Sequence, residues 1–281
     1  MAIVTLVALF LPSAASAQDE PGVEVTTGIR RLHYSYRFEN DSSFDTPFLV
    51  PHFFEQRYEV TSPEVGLRAR YRVKGQTWST TVSFMPERRA FGSDFDTFFQ
   101  PEGDIATSGT AGDVDLMGLA IAQTIPFVSR DRWSLALRIA WRRDRADYLP
   151  ADRVVTHTQP PSETREWITD GERTVSRTFE SGAAVAWQPA IDGRWSLDFS
   201  AYVSPTIHAR LLTQLPQKYP GRDIVFDALA WSVGGNVSLS RPVGPFTAGA
   251  WMSVEKAGSY RRSARFNRTA VAGGISVGLL R

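Results

Sequence analysis

The sequence lacks cysteine, and it lacks a marked excess of either charge. With no Cys in 281 residues, the chain offers neither a disulfide framework nor a thiolate metal site. The formal net charge is +1, so there is no basic excess of the kind that binds nucleic acid. Beyond the N-terminus no run of about 18 apolar residues occurs, so a transmembrane helix is not expected. We therefore expect no nucleic-acid partner, no bound metal and no helical membrane anchor.

The first 17 residues have the features of a cleaved export signal. Ala2–Leu11 is a short apolar segment that Pro12 interrupts, and Ala15-Ser16-Ala17 is a small-x-small cleavage motif. No Lys or Arg precedes the apolar segment, which differs from the usual signal. We predict a signal peptide at 1–17 and a single barrel domain at 18–281. The alternative is a buried first strand.

A strict period of two marks the start of the segment Arg132–Asp147. Apolar residues alternate there with small or charged ones, which is typical of a β-strand with two unlike faces. The same pattern returns at Trp195, and similar segments along the chain give about ten predicted strands. The apolar positions of the first segment are Trp133, Leu135, Leu137, Ile139 and Trp141.

The predicted connections between strands sort by length. Short turns follow every second strand, and long polar loops follow most of the others, at about 39–56, 88–112, 148–172 and 211–223. Large aromatic residues lie beside the short turns, as expected for a girdle at a membrane interface. These aromatics are Trp78, Phe127, Trp133, Trp187, Trp195 and Phe246.

This pattern resembles the bacterial outer-membrane β-barrel class over essentially all of the mature sequence. The resemblance implies an all-β fold, an antiparallel up-and-down transmembrane β-barrel of about ten strands. It also implies a location in the cell outer membrane, with outer-membrane lipid or lipopolysaccharide and the barrel-assembly machinery as partners. Barrels of this class often end in an aromatic residue, whereas this chain ends in Arg281. The alternative fold is a secreted β-sandwich, whose strands also alternate.

The strand face opposite the apolar one predicts a charged lumen. A ten-stranded barrel is only slightly wider than an eight-stranded one, whose interior is filled by side chains. Two interpretations remain: a charge-paired plug in a structural envelope barrel, or a narrow Arg-lined channel that passes small solutes. Arg70 and Asp198 are expected to meet across the lumen. The predicted lumen-lining residues are Arg68, Arg70, Arg72, Arg138, Arg142, Asp198 and Glu255.

Two segments are similar to the omptins, ten-stranded outer-membrane proteases with an Asp pair in the second external region and an Asp-x-His pair in the fourth. Asp94 and Asp96 match the first pair, and His208 matches the histidine. Thr206 stands where the orienting carboxylate is expected, and a general base without that partner loses much of its power. The sequence therefore favours a protein that is not an enzyme and keeps an omptin-like surface hydrolase as an alternative.

The predicted loops are rich in phenylalanine, which offers a third interpretation. These loops either pack on one another over the barrel mouth or form a hydrophobic surface for adhesion or ligand binding. Gly109–Phe127 faintly resembles a strand of barrels of the aromatic-degradation transporter type. No cofactor is expected, because no nucleotide-binding glycine loop or nucleophile elbow occurs. The candidate binding residues are Phe91, Phe95, Phe98 and Phe99.

Overall fold

The fold is taken from a computed structural model, which describes residues 21–40, 52–99, 103–130, 132–168, 171–189, 195–214, 216, 221, 223–260 and 264–280. The predicted signal peptide lies outside these residues. The described part holds no helix that is long and apolar enough to cross a membrane. Its strands are β1 (Gly22–Asn40), β2 (His52–Val73), β3 (Gln76–Phe99), β4 (Ile105–Arg130), β5 (Trp133–Tyr148), β6 (Ala151–Thr158), β7 (Pro161–Ile168), β8 (Arg173–Trp187), β9 (Ser196–Gln214), β10 (Asp223–Val243), β11 (Phe246–Ser259) and β12 (Ala264–Leu280).

Ten of these strands close into a ring. β1 to β5 pair antiparallel in chain order, as do β8 to β12, and β5 pairs with β8. The ring closes where β1 pairs with β12, from Gly22↔Leu280 to Phe38↔Ala264. A sandwich would leave its sheets open at their edges, so the sandwich alternative is wrong. The fold is the predicted antiparallel up-and-down barrel of the transmembrane class.

Tight hairpins join strands at one end of the barrel, which we call the turn end; the opposite end is the loop end. Lys74 and Gly75 join β2 to β3 with φ of 50° and 81°. A type I′ hairpin turn needs positive φ at both central positions, and its twist matches that of the flanking strands. Gly244 and Pro245 join β10 to β11 in an equally short connection.

The outer surface carries an apolar band next to the turn end. On β12, for example, Val271, Ile275 and Val277 are exposed on the outside of the wall. The predicted aromatic girdle lies at the lower edge of this band, where Phe127, Trp133, Trp187, Trp195 and Phe246 are exposed and Trp78 is half-buried. Outward-facing ion pairs such as Arg31–Glu59 lie above the band, and Arg241 packs over Trp195 at its lower edge, so the apolar zone is bordered by charged residues on both sides.

β6 and β7 form a hairpin that lies outside the ring. β6 pairs with the first part of β4, from Ala106↔His157 to Thr110↔Arg153. Residues 91–99 of β3, 105–113 of β4, and all of β6 and β7 therefore continue the wall at the loop end as a four-stranded sheet, the projecting sheet. The loops predicted at 88–112 and 148–172 are consequently wrong over most of their length. The alternation of the ring strands persists there, although with Gly, Ser and Asp in place of large aliphatic residues.

Candidate functional site

A network of buried charges crosses the lumen about half-way up the barrel. Arg268 on β12 is 1% exposed and donates from Nη2 to Glu180 Oε1 on β8 at 2.6 Å. Its Nε donates to Glu255 Oε1 on β11, also at 2.6 Å. Because β8 lies four strands from β12 around the ring, the Arg268–Glu180 pair spans the interior rather than following the wall.

Other ion pairs extend this network on both sides. Arg142 Nη2 on β5 lies 3.3 Å from Glu255 Oε2 on β11, which is a second contact across the lumen. Arg138 Nη1 donates to Glu180 Oε2 at 3.1 Å, and its guanidinium lies 3.8 Å from the ring centroid of Tyr202. The network contains four arginines and four carboxylates, so the buried positive and negative charges compensate one another. The members are Arg30, Arg138, Arg142 and Arg268 with Glu64, Asp144, Glu180 and Glu255.

Neutral hydrogen bonds cross the lumen between the charge network and the loop end. Tyr34 on β1 donates from its hydroxyl to Ser176 Oγ on β8 at 2.8 Å, and both side chains are buried. Thr174 Oγ1 donates to Gln56 Oε1 on β2 at 3.0 Å. β8 stands on the opposite side of the ring from β1 and β2, so these two hydrogen bonds also cross the interior.

Aromatic side chains fill the lumen nearer the loop end. Phe226 stacks on Phe54 with ring centroids 5.3 Å apart and packs against Phe38 at 4.4 Å. Tyr34 meets Phe266 edge to face at 5.5 Å. Small cavities remain beside Asp144, as expected where long and short side chains interdigitate in a narrow barrel.

The predicted lumen-lining residues all belong to the inward-facing series of their strands, but they form separate groups. Arg138, Arg142 and Glu255 join the central network. Arg68 and Arg70 lie nearer the turn end, 3.5 Å and 3.8 Å from Glu24 Oε2. Asp198 accepts a hydrogen bond from Gln188. The structure therefore gives Arg70 and Asp198 separate partners instead of the expected contact across the lumen. Arg72 stands at the turn end of the same series on β2.

Sequence reasoning missed the two residues at the centre of the network, Arg268 and Glu180. Each shares its strand face with small residues, Ala270 and Ala272 on β12 and Gly182 on β8, so no charged residue of the predicted set lay on these two strands. Arg268 lies two residues before Ala270, and Glu180 lies two residues before Gly182. Continuing the alternation of each strand by one step would therefore have identified both as inward-facing.

At the loop end the structure separates the three residues of the hydrolase alternative. Asp94 and Asp96 face inward on β3 and are buried, at 2% and 4% exposure. His208 faces outward on β9, between the buried residues Ile207 and Ala209. The Asp pair and this imidazole lie on opposite faces of the wall, so they do not form one site.

A different histidine on the projecting sheet has the carboxylate partner that His208 lacks in sequence. His157 Nδ1 lies 2.8 Å from Asp104 Oδ2. Asp104 Oδ1 also accepts hydrogen bonds from the backbone N–H groups of Thr158 at 2.8 Å and Gln159 at 2.9 Å. The His157 contact first, and then these backbone donors, hold the Asp104 pKa well below its ordinary value. The described residues bring together no group of three side chains that could hold a metal ion.

The four phenylalanines of the proposed binding surface lie on β3 rather than in a loop. Phe91, Phe95 and Phe99 face outward and are exposed. Phe98 faces inward and packs against the buried aromatic cluster. Gly109 on β4 is the register partner of Phe95, and a Cβ at this position would make ordinary contact with the phenyl ring at 3.4 Å. Three of the four therefore form an exposed stripe on the outside of the projecting sheet.

Known structures share this architecture, although the sequences are distant. The outer-membrane protease OmpT from Escherichia coli matches with a TM-score of 0.61 and 7% identity, covering 95% of this chain and 99% of that one. Weaker matches include Ail of Yersinia pestis, with a TM-score of 0.32, 8% identity and coverage of 92% and 99%. The translocator domain of NalP from Neisseria meningitidis gives 0.32, 9% identity and coverage of 99% and 93%. No family model and no curated protein matches the sequence. The likeness to OmpT establishes the fold of an outer-membrane β-barrel.

Proposed function

We propose that the chain is a closed outer-membrane barrel, a structural or surface-presenting protein of the envelope rather than a channel. The observation that supports this is the Arg268–Glu180 pair, which joins opposite walls at 2.6 Å. A solute on this path would have to separate buried ions, and breaking a buried pair by removing one partner costs about 3–5 kcal/mol. The hydrogen bonds and aromatic contacts nearer the loop end would add further barriers.

The proposal includes an orientation in the outer membrane. The apolar band and its aromatic girdle have the composition of a bilayer-facing surface. Short turns of such barrels face the periplasm, so the projecting sheet would lie outside the cell. Insertion by the barrel-assembly machinery and export by the signal peptide at 1–17 belong to the same proposal.

Conductance across a planar bilayer tests the closed lumen. The refolded chain should insert, as judged by a shift in gel mobility on boiling, and should give no stepwise conductance. The fourfold variant Arg142→Gly, Glu180→Gly, Glu255→Gly, Arg268→Gly removes the cross-lumen ions. With Tyr34→Gly, Phe54→Gly and Phe226→Gly added, the barriers nearer the loop end are opened too, and this combined variant should conduct. Arg31→Gly with Glu59→Gly, an outward-facing ion pair, is the matched control and should stay silent. Unitary conductance of the unchanged protein would contradict the proposal and favour the narrow channel.

A second candidate function is a surface hydrolase that uses His157. The contact with Asp104 favours it, because a carboxylate that accepts from Nδ1–H orients the imidazole and selects the neutral tautomer whose Nε2 can accept a proton. Asp94 and Asp96 face inward on the same projecting sheet, two strands away. Incubation with a library of short peptides tests this candidate. Cleavage that His157→Ala abolishes and His208→Ala leaves intact would support it, and the absence of cleavage would exclude it for peptides.

A further inference from the structure

β7 forms a free edge of the projecting sheet. Within the described part of the chain it pairs only with β6, from Ala151↔Ile168 to Thr158↔Pro161. Every residue of β7 except Ile168 is exposed, so water reaches both faces of this strand. An unpaired strand edge presents a row of backbone N–H and C=O groups that can pair with another strand. The edge is therefore a candidate site for a partner that supplies a strand.

A hydrogen bond of the neighbouring strand β6 shows which backbone groups reach this edge. The N–H of Thr158 donates to Asp104 Oδ1, on the β4 side of β6. Successive residues of a strand direct their N–H and C=O groups to alternate sides, so the intervening residues of β6, such as His157, bond to β7. The register partner of His157 is Ser162. The residues of β7 at 163, 165 and 167 consequently direct their backbone groups to the free edge.

Two of these edge residues carry charges of opposite sign. Arg165 Nε lies 3.4 Å from Glu163 Oε1, and both side chains are more than half exposed. An ion pair this exposed contributes little to the stability of a single chain. Charged side chains normally protect a sheet edge, because they oppose pairing with an arbitrary strand. A strand with complementary charges at the matching positions is the exception.

A second copy of β7 carries those charges in the required order. When two antiparallel copies are aligned with Thr164 opposite Thr164, Glu163 of each copy stands opposite Arg165 of the other. Opposed residues of unlike charge stabilise a strand pair. An alignment centred on residue 163 sets two glutamates against each other, and one centred on residue 165 sets two arginines against each other, which is destabilising. Among these alignments, the charges select the one centred on Thr164.

We propose that β7 binds β7 of a second copy of this protein, antiparallel and centred on Thr164. The backbone groups of residues 163 and 165 in one copy would bond those of residues 165 and 163 in the other. Trp167 of each copy would lie opposite Pro161 of the other, where proline has no N–H to leave unpaired.

The direction of β7 determines how the two barrels would be arranged. β7 is antiparallel to β6, which is antiparallel to β4, so β7 runs like β4 from the loop end toward the turn end. An antiparallel copy of β7 therefore belongs to an inverted barrel, and the two molecules would meet loop end to loop end. This arrangement joins two opposed membranes. It rests on the proposed orientation with the loop end outside the cell, whereas the strand pairing itself does not.

Exchange of the two charges tests the pairing. The mature chain is refolded into lipid vesicles, and turbidity reports vesicle aggregation, in which many weak contacts act together. Sedimentation in a nonionic detergent measures the dimer without a membrane. The single variants Glu163→Arg and Arg165→Glu each place like charges at both opposed positions, and the double variant with both changes restores unlike charges. Each variant is first checked for the mobility shift of a folded barrel.

The matched control uses an ion pair with the same spacing on a strand that has no free edge. Arg57 lies 2.9 Å from Glu55 on β2, which is paired there with β1 on one side and β3 on the other. The control variants are Glu55→Arg and Arg57→Glu. They make the same changes in net charge as the single variants without touching β7.

The unchanged protein should aggregate vesicles, and each single variant should do so about tenfold more slowly. Mixing vesicles that carry the two different single variants should restore aggregation, because the two positive residues of one variant then face the two negative residues of the other. The double variant should behave like the unchanged protein, and so should the two controls.

Four results would count against the proposal. Single variants that aggregate vesicles as fast as the unchanged protein, or a mixture that does not recover, would overturn the pairing of β7. An equal loss in the controls would also overturn it, since the effect would then follow net charge. Equally fast aggregation with protein-free vesicles would mean that the protein binds lipid rather than a second copy. A charge-dependent dimer in detergent without vesicle aggregation would overturn the loop-end-to-loop-end arrangement and support the strand pairing.

Discussion

Arg268 and Glu180 face each other across the barrel, with Nη2 and Oε1 2.6 Å apart and both side chains almost fully buried. The same guanidinium also serves Glu255. One cation therefore neutralises carboxylates that come from two other strands.

Arg268→Ala should destabilise the barrel by about 3–5 kcal/mol, because it leaves Glu180 and Glu255 buried without their shared partner. Unfolding by urea of the chain refolded in lipid vesicles measures the loss. Arg31→Ala is the control, since its ion pair with Glu59 is largely exposed and such pairs contribute at most about 1 kcal/mol. Similar losses in the two variants would show that Arg268 contributes no more than a surface charge.

Tyr34→Phe and Tyr36→Phe should have different effects on stability, although both hydroxyls are buried on β1. Tyr34 donates to Ser176 across the lumen, so its loss should cost about 1 kcal/mol. The Tyr36 hydroxyl has no hydrogen-bond partner among the described residues, so its removal should be neutral or stabilising. Urea unfolding of the two variants gives the comparison. Equal effects would contradict the assigned hydrogen bond.

Ile275→Arg should destabilise the membrane-inserted barrel by about 2–4 kcal/mol, since it places a charge on the bilayer-facing surface of β12. Asn267→Arg lies on the same outer face of the same strand but above the band, so its effect should be close to zero. Folding titrations in vesicles of defined thickness measure both variants. A large loss for the second variant would mean that the apolar band extends further toward the loop end.

Acid should loosen the contact between β4 and the β6–β7 turn. The folded protein holds the Asp104 pKa below its ordinary value, so the ionised carboxylate contributes fully above about pH 4. This contribution is lost as the pH falls toward the lowered value. Hydrogen exchange at the amides of Thr158 and Gln159 should show protection that decreases over that range, relative to intrinsic rates. Asp104→Ala should remove the protection at every pH.

The ring could be predicted from sequence because lipid imposes a simple rule on it. Residues such as Leu137 and Ile275 must be apolar where they face the bilayer, and this requirement produces an unbroken period of two. The projecting sheet has water in place of lipid on its outer side, so polar and small residues such as Ser93 and Gly109 are tolerated there. The alternation of apolar and polar residues in the projecting sheet is weak for that reason. The polar composition of these segments therefore favoured the prediction of loops.

The contacts inside the barrel could be predicted only in part. The alternation of inward-facing and outward-facing residues along each strand indicates which side chains enter the lumen. Applied to β8 and β12, it would have included Glu180 and Arg268. Which inward residues meet depends on the stagger between distant strands, which local pattern does not record. The contact of His157 with Asp104 joins residues 53 positions apart and depends on the pairing of β4 with β6. No motif spacing in the sequence indicates it.

The position of Arg268 in the chain has a consequence for assembly. The carboxylates it neutralises belong to β8 and β11, whereas Arg268 belongs to β12, the final 17-residue strand of the described chain. Until β12 pairs with both β11 and β1, the charge network lacks one of its four arginines, so its carboxylates outnumber its arginines by one. A barrel that lacks only its last strand is therefore incomplete in two ways, with an open seam and an unbalanced interior. Sealing the wall and neutralising the lumen are the same event, which favours all-or-none completion of the barrel.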